Sequence, residues 1–415
     1  MRLDKNSVRE ICMDRIRREW LSAPDTFPDF LMEIPAAAKS QNELYIKNIS
    51  DVFQKQIKRF PVHRERRAKW SQRTLCMLTD VLCEETIIGV HHSMDKKRIA
   101  AFLEELRIFL RHVREFAPEL PLEGIGQAIR NYVVYAMFNE IHRVETGFST
   151  ACFGYSMLYP FTDNYIDSLN HTFDEKREYN RIIRDTIEGR DAGPKTPHQM
   201  KTCLLLQMIE AAYPRDRDIS VYRLLLMMLE AQEESLRQQD TASPLSADER
   251  LDISLYKGGV SVLIDRYFVP REMTQEELVF YFGFGFFLQL ADDLQDIEDD
   301  SVGGSQTLFT VELNSVKAEK IVNKLLQFVH KLLREYKAEN DVFKEFVLSN
   351  CNQLIYSSLL RSRAFFSREY LERIEKYFPV TFAAYENMNR MDPEEIDGRI
   401  RDKYMIIMDE MILEV

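Results

Sequence analysis

Apolar residues return at helical spacing along most of the chain, and no stretch alternates apolar with polar positions long enough to read as a strand. Breaks in that pattern fall where proline and glycine gather. Pro24, Pro28 and Pro35 interrupt the early chain, Pro118 and Pro121 mark a turn, and Glu188 to Gln199 and Asp240 to Pro244 read as loops. Two helices carry clear start signals. Ser246-Ala-Asp-Glu249 is a capping box ahead of LDISLYKGGVSVLIDRYF, and Thr274-Gln-Glu-Glu277 is another ahead of LVFYFGFGFFLQLADDLQDIEDD. The second of these helices is predicted to run from near Gln275 to near Asp299. No internal repeat or low-complexity tract divides the chain, and the linkers are short. The pattern predicts an all-α protein: a large single bundle over residues 101–415, with a leading helical segment, residues 1–100, packed on it.

Composition narrows the class. A chain of 415 residues is long for one compact domain, yet 45% hydrophobic residues supply a sizeable core. A net charge of −12 makes a general nucleic-acid partner unexpected, because phosphate backbones require cationic surfaces. Cys12, Cys76, Cys83, Cys152, Cys203 and Cys351 are scattered with no CxxC pair, which argues against a zinc site or a disulfide framework. The N-terminal residues are charged throughout and show no apolar signal region. The longest apolar-rich run, Leu278 to Ala291, is too short to span a bilayer. No transmembrane segment is expected, and the cytoplasm is the expected location.

Candidate chemistry concentrates in LQLADDLQDIEDD. Asp292, Asp296 and Asp300 are spaced by four and share one helical face. Like charges at that spacing repel, and they lie toward the negative end of the helix dipole. A solvated helix end tolerates this. A divalent cation would neutralise it, and magnesium takes carboxylates together with phosphate and water. The strongly apolar run just upstream places the carboxylates at the rim of buried structure. Gly283 and Gly285 lie mid-helix, where each costs about 1 kcal/mol against alanine, and imply close packing or a cavity.

The stretch Leu288-Gln289-Leu290-Ala291-Asp292-Asp293-Leu294-Gln295-Asp296 resembles the FQxxDDxxD motif of the trans-prenyltransferases, members of the class I isoprenoid synthases, with Leu288 in place of the Phe. A glycine-containing loop and a threonine, Ser301 to Thr307, follow as they do in that family. Lys257, 35 residues before Asp292, matches the family's diphosphate-gripping lysine in position, and Gly258 and Gly259 after it read as loosening the helix or as a close helix contact. Counting back 129 residues from Asp292 reaches Asp163-Asn164-Tyr165-Ile166-Asp167, a departure from the family's DDxxD in its second position. Asp163, Asp167, Asn170 and Asp174 are expected on one helical face. The family's paired arginines are out of register; Arg177, Arg181 and Arg184 are the neighbours. The resemblance covers about residues 130 to 375.

The resemblance implies an isoprenoid-synthase type of bundle and a prenyl diphosphate substrate. It implies magnesium, three ions with the substrate diphosphate, held by Asp163, Asp167, Asp292, Asp293 and Asp296. Lys257, Arg177, Arg181 and Gln289 are then the diphosphate-binding candidates, and a homodimer is the family's expectation. The GGKxxR-type motif of chain-elongating members is missing; Lys96-Lys97-Arg98 is the comparable cluster and lacks the glycines. Intramolecular chemistry, cyclisation or elimination, is therefore favoured over elongation, with a non-catalytic partner protein as a third reading. A cyclase needs a dry cavity with aromatic faces to stabilise a cation. Phe153, Tyr155, Tyr159 and Phe161 precede the first acidic group, and Phe280, Phe282, Phe284, Phe286 and Phe287 precede the second. A minority of these are expected to line a cavity and the rest to form core.

Overall fold

A computed structural model describes residues 5–413 apart from 146, 169, 312 and 390–397. Among the described residues the chain is all-α, as the periodicity predicts, and no helix is long and apolar enough to cross a membrane. The leading helices are α1 (Lys5–Val8), a π-turn over Arg9–Met13, α2 (Asp14–Ser22), α3 (Ala36–Lys58) and α4 (Arg67–Glu84). Then come α5 (Lys96–Phe116), α6 (Leu122–Ile141), α7 (Thr150–Asp167), α8 (Phe173–Ile187), α9 (Pro197–Ala212) and α10 (Ile219–Ser235). The later helices are α11 (Ala247–Phe268), α12 (Gln275–Gln295), α13 (Ile297–Gly303), α14 (Ser315–Glu335) and α15 (Asp341–Arg361). Three shorter or terminal helices, α16 (Arg368–Glu375), α17 (Phe382–Asn389) and α18 (Gly398–Leu413), finish the chain.

Helix α12 is the central rod. Every residue from Leu278 to Phe287 is buried, which is how a helix apolar on all sides is accommodated. It packs on α11, α14 and α15, and α2 also packs against it. There Trp20 meets the edges of Phe286 at 5.3 Å and Phe328 at 5.9 Å. Helix α7 packs between α6 and α9, and α10 packs on α11. Both expected capping boxes form, at Ser246/Glu249 and Thr274/Glu277. A buried ion pair, Arg266 to Glu277 at 2.8 Å, ties the end of α11 to the start of α12.

The closest helix crossing explains the glycines. A Cβ on Gly258 would land on the Gly285 carbonyl oxygen, and one on Gly285 would land on the Gly258 carbonyl oxygen. A Cβ on Gly259 would enter the Phe282 ring, and one on Gly283 would come within 2.8 Å of Ile16. These residues serve close packing. Helix α11 stays regular through Gly258 and Gly259, so the loosened backbone expected there is replaced by a tight crossing.

The division at residue 100 falls inside α5, and α18 returns from the C-terminus to pack on α4 and α5. Arg67 to Glu410 at 2.6 Å and Arg114 to Asp409 at 2.7 Å fasten that return. Leading and trailing segments thus meet each other.

Candidate functional site

The second acidic group is built at the C-terminal end of α12. The helix ends sooner than expected, at Gln295, where Asp296 turns to φ −102° and ψ 17° before α13 resumes. The backbone ladder still carries through, with the Asp296 amide donating to Asp292 at 3.0 Å and the Asp300 amide to Asp296 at 2.8 Å. The row of carboxylates therefore remains a row. Asp292 is exposed, Asp296 and Asp300 are half-buried, and Asp293 is buried.

Asp293 turns inward against α11. Its Oδ2 accepts from the Ser254 hydroxyl at 3.3 Å, and its Oδ1 accepts from Gln289 Nε2 at 2.9 Å. Burial raises its pKa to about 7; the Asp292 charge adds to the rise, while Gln289, Lys257 and Ser254 oppose it. Burial also lifts Asp300 to about 7, reinforced by Asp293, Asp296 and Asp292 and opposed by Lys257. Asp296 rises to about 6 for the same first reason, with Asp292 adding to the rise and Arg361 opposing it. Four carboxylates and the half-buried Lys257 thus share one electrostatic neighbourhood. Gln289, expected at the diphosphate, is turned to Asp293.

The loop after this group is pinned. Gly304 adopts φ +71° to end α13. The Gln306 amide donates to Gln238 at 2.9 Å, and its side chain accepts from the Leu245 amide at 2.8 Å. The connection from α10 to α11 is thereby stitched to the end of the acidic segment.

The first acidic group is only partly as expected. Asp163 is half-buried on α7 and its Oδ1 accepts from the Thr162 hydroxyl at 3.1 Å and from Gln232 of α10. Helix α7 ends at Asp167, whose side chain lies outside the described residues. Asn170 and Asp174 therefore do not continue its face: Asn170 is in the turn, and Asp174 opens α8 and is exposed. A helix cannot run through this segment because Thr172 caps a new one with a full capping box to Glu175.

The arginines are placed by their own acidic neighbours. Arg177 is exposed and pairs with Asp174 at 3.3 Å. Arg181 pairs with Glu178 at 2.8 Å and with Asp185 at 2.5 Å on the surface of α8. Arg184 alone of the three reaches α10, through Glu233 at 2.8 Å, beside the Gln232 that holds Asp163. In the Lys96–Arg98 cluster, Lys96 pairs with Asp80 at 2.8 Å and Arg98 with Glu140 at 2.5 Å.

A cavity of about 40 Å³ lies among α7, α8, α9 and α10, lined in part by Tyr155, Leu158, Tyr159, Asp163, Met228 and Gln232. That is room for one or two waters. The other aromatic residues of interest are packed against neighbours. Phe153 meets Phe109 at 5.5 Å, Phe161 stacks on His198 at 5.1 Å, and Phe280 stacks on Tyr336 at 3.8 Å. A buried carboxyl group, Asp265, was not foreseen. Asn131 donates to its Oδ1 at 3.1 Å, its Oδ2 has no partner, and burial holds its pKa well above the ordinary value. Ser254 and Gln232 were likewise missed; only Ser254 carried a signal, its place one turn before Lys257. Against known proteins, no family model matches this chain, and neither does any curated protein or any solved structure.

Proposed function

We propose that the protein is a class I terpene synthase: with magnesium it ionises a linear prenyl diphosphate, and the allylic cation then cyclises or loses a proton. The observation that carries this reading is buried Asp293, set among Asp292, Asp296, Asp300 and Lys257 where α11 and α12 cross. Carboxylates whose pKa values are raised by burial and by one another are a donor set that a hard cation would stabilise. Among the described residues no three acidic, imidazole or thiol groups gather closely enough to form a metal cage by themselves. Magnesium, however, commonly takes one or two carboxylates and completes its shell with phosphate and water.

Asp163, Asp167, Asp292, Asp293 and Asp296 would hold the ions, which would supply Lewis-acid stabilisation of the departing diphosphate. The chain's own contribution is orientation and charge. Lys257, half-buried and close enough to act on the Asp293 and Asp300 carboxyls, would supply a cation where negative charge grows on the leaving group. Gln289 and Ser254 hold the Asp293 carboxylate in place, and Gln232 does so for Asp163. Tyr155 and Tyr159 line the same cavity as Asp163 and are the aromatic groups that would stabilise a cation there. A prenyl chain needs the helices around the small cavity to part, and their closing over the seated chain would exclude water.

The pairing of Lys96 and Arg98 with acidic residues weighs against an elongating enzyme, which requires a second diphosphate site. A second reading, a non-catalytic partner protein, is favoured by the size of the cavity and by the surface placement of Arg177 and Arg181. Thermal melts with magnesium and inorganic diphosphate separate the two. At a hundred times Kd the ligand stabilises the fold by about 2.7 kcal/mol. The wild type is expected to shift and Lys257→Ala to shift less. No shift in the wild type would contradict the enzyme reading.

A further inference from the structure

One region reverses the charge of the molecule. Between Lys55 and Arg73 lie eight lysines and arginines and a single acid, Glu65. That is a net +7, so the remainder of a −12 chain carries −19. The segment forms the end of α3, a short 3-10 turn over Arg64–Arg66, and the start of α4. Lys55, Lys58, Arg59, Arg64, Arg66, Lys69 and Arg73 are exposed, and among the described residues none of these seven carries an ion pair. An unpaired cluster of one sign is costly self-repulsion unless an anionic surface meets it.

The eighth cation shapes the tip. Arg67 donates to the carbonyls of Pro61 at 3.2 Å and Val62 at 3.3 Å, pairs with Glu410, and lies over the Phe60 ring at 5.0 Å. Phe60 in turn meets Trp70 edge-on at 5.1 Å, and the Trp70 indole N–H donates to Gln56 at 3.2 Å. The turn is therefore fixed from beneath, and Val62 at its apex is 87% exposed.

We propose that this basic tip docks the protein on an anionic phospholipid membrane, with Val62 entering the headgroup region and the surrounding cations meeting lipid phosphates and carboxylates. The chemistry favours a bilayer over nucleic acid. Single-strand binders use free aromatic faces for bases, and here Phe60 and Trp70 engage each other while Arg67 covers Phe60. The apex side chain is aliphatic, which suits a headgroup boundary. A bilayer also touches the tip alone, whereas a long polyanion would meet the acidic remainder.

The test is sedimentation with vesicles of phosphatidylcholine containing 30% phosphatidylserine, beside pure phosphatidylcholine vesicles, at about 0.1 M salt, where charge screening acts over about 10 Å. Each cation near such a surface is worth about fivefold in partitioning. The triple variant Arg64→Gln/Arg66→Gln/Lys69→Gln should therefore bind about a hundredfold more weakly. Val62→Asp should also bind more weakly, and Arg368→Gln, an exposed arginine elsewhere, should bind as the wild type does. Circular dichroism verifies that each variant is folded. The proposal is overturned if the wild type ignores the anionic vesicles, or if the triple variant, folded, binds them unchanged. It is also overturned if single-stranded or duplex DNA competes the protein off the vesicles at lower charge concentration than the lipid itself.

Discussion

Replacing Gly285 with alanine puts a methyl group on the Gly258 carbonyl oxygen, 2.8 Å from the carbonyl carbon and 3.0 Å from Val262 Cβ. The obstruction is backbone, which cannot swing aside as a side-chain tip does, so α11 and α12 must move apart. Overpacking of this kind costs about 1–3 kcal/mol where neighbours can yield, and more where they cannot. Alanine's better helix propensity returns about 1 kcal/mol. The expected net loss is about 2 kcal/mol or more. Gly126→Ala is the matched control. It also lies inside a helix, α6, but a Cβ there meets nothing within 4 Å. That variant keeps the propensity gain and is expected to be more stable than the wild type by about 0.5–1 kcal/mol. Urea denaturation followed by far-UV circular dichroism should therefore separate the two variants by about 3 kcal/mol. A Gly285→Ala midpoint at or above that of Gly126→Ala would refute the close-crossing argument. The same separation would lengthen the 3.3 Å Ser254–Asp293 contact, so Gly285→Ala should also lose stabilisation by magnesium and diphosphate.

Three other outcomes follow from buried polar groups. Glu277→Gln leaves fully buried Arg266 without its carboxylate and should cost about 3–5 kcal/mol by the same denaturation assay; a change under about 1 kcal/mol would show that the pair is not buried as described. Asp265 has its folded pKa raised by burial, so its ionised form opposes folding. The penalty is absent below the unfolded value of about 3.9 and grows as pH rises above it, so Asp265→Asn should gain stability over the wild type between pH 4 and pH 8, and parallel pH profiles would contradict this. Glu85 accepts from the amides of Ile87, Ile88, Gly89 and Val90 at 2.7–3.1 Å. Glu85→Ala should speed hydrogen exchange at those amides and cost about 2–3 kcal/mol, and unchanged exchange would show that the carboxylate does not organise the turn.

What could be read beforehand follows the range of the interactions involved. Local chemistry wrote the helices plainly: a capping box needs only four residues, and Ser246 and Thr274 start their helices where expected. The Asp292–Asp300 row was legible because a single helix sets its spacing. Asp174 leaves the face of Asp163 because Thr172 and Glu175 start a new helix, a four-residue signal that the sequence carries and that overrides the spacing of four, three and four. Close packing was one of two readings open for Gly258 and Gly285; that the two glycines face each other depends on two helices meeting, which spacing along either one does not state. Gln232 and Asp265 act across helices 69 and 134 residues from their partners Asp163 and Asn131, and no periodicity reports such contacts.

The central claim concerns bond cleavage, so its most direct measurement is inorganic diphosphate released from C10 to C35 prenyl diphosphates by purified protein with magnesium, with organic extracts read by mass spectrometry. The account predicts release from a single linear substrate without isopentenyl diphosphate, together with a hydrocarbon or alcohol product, and loss of both in Asp292→Ala/Asp163→Ala. Release that survives this double substitution, or no release from any substrate in the panel, would contradict it.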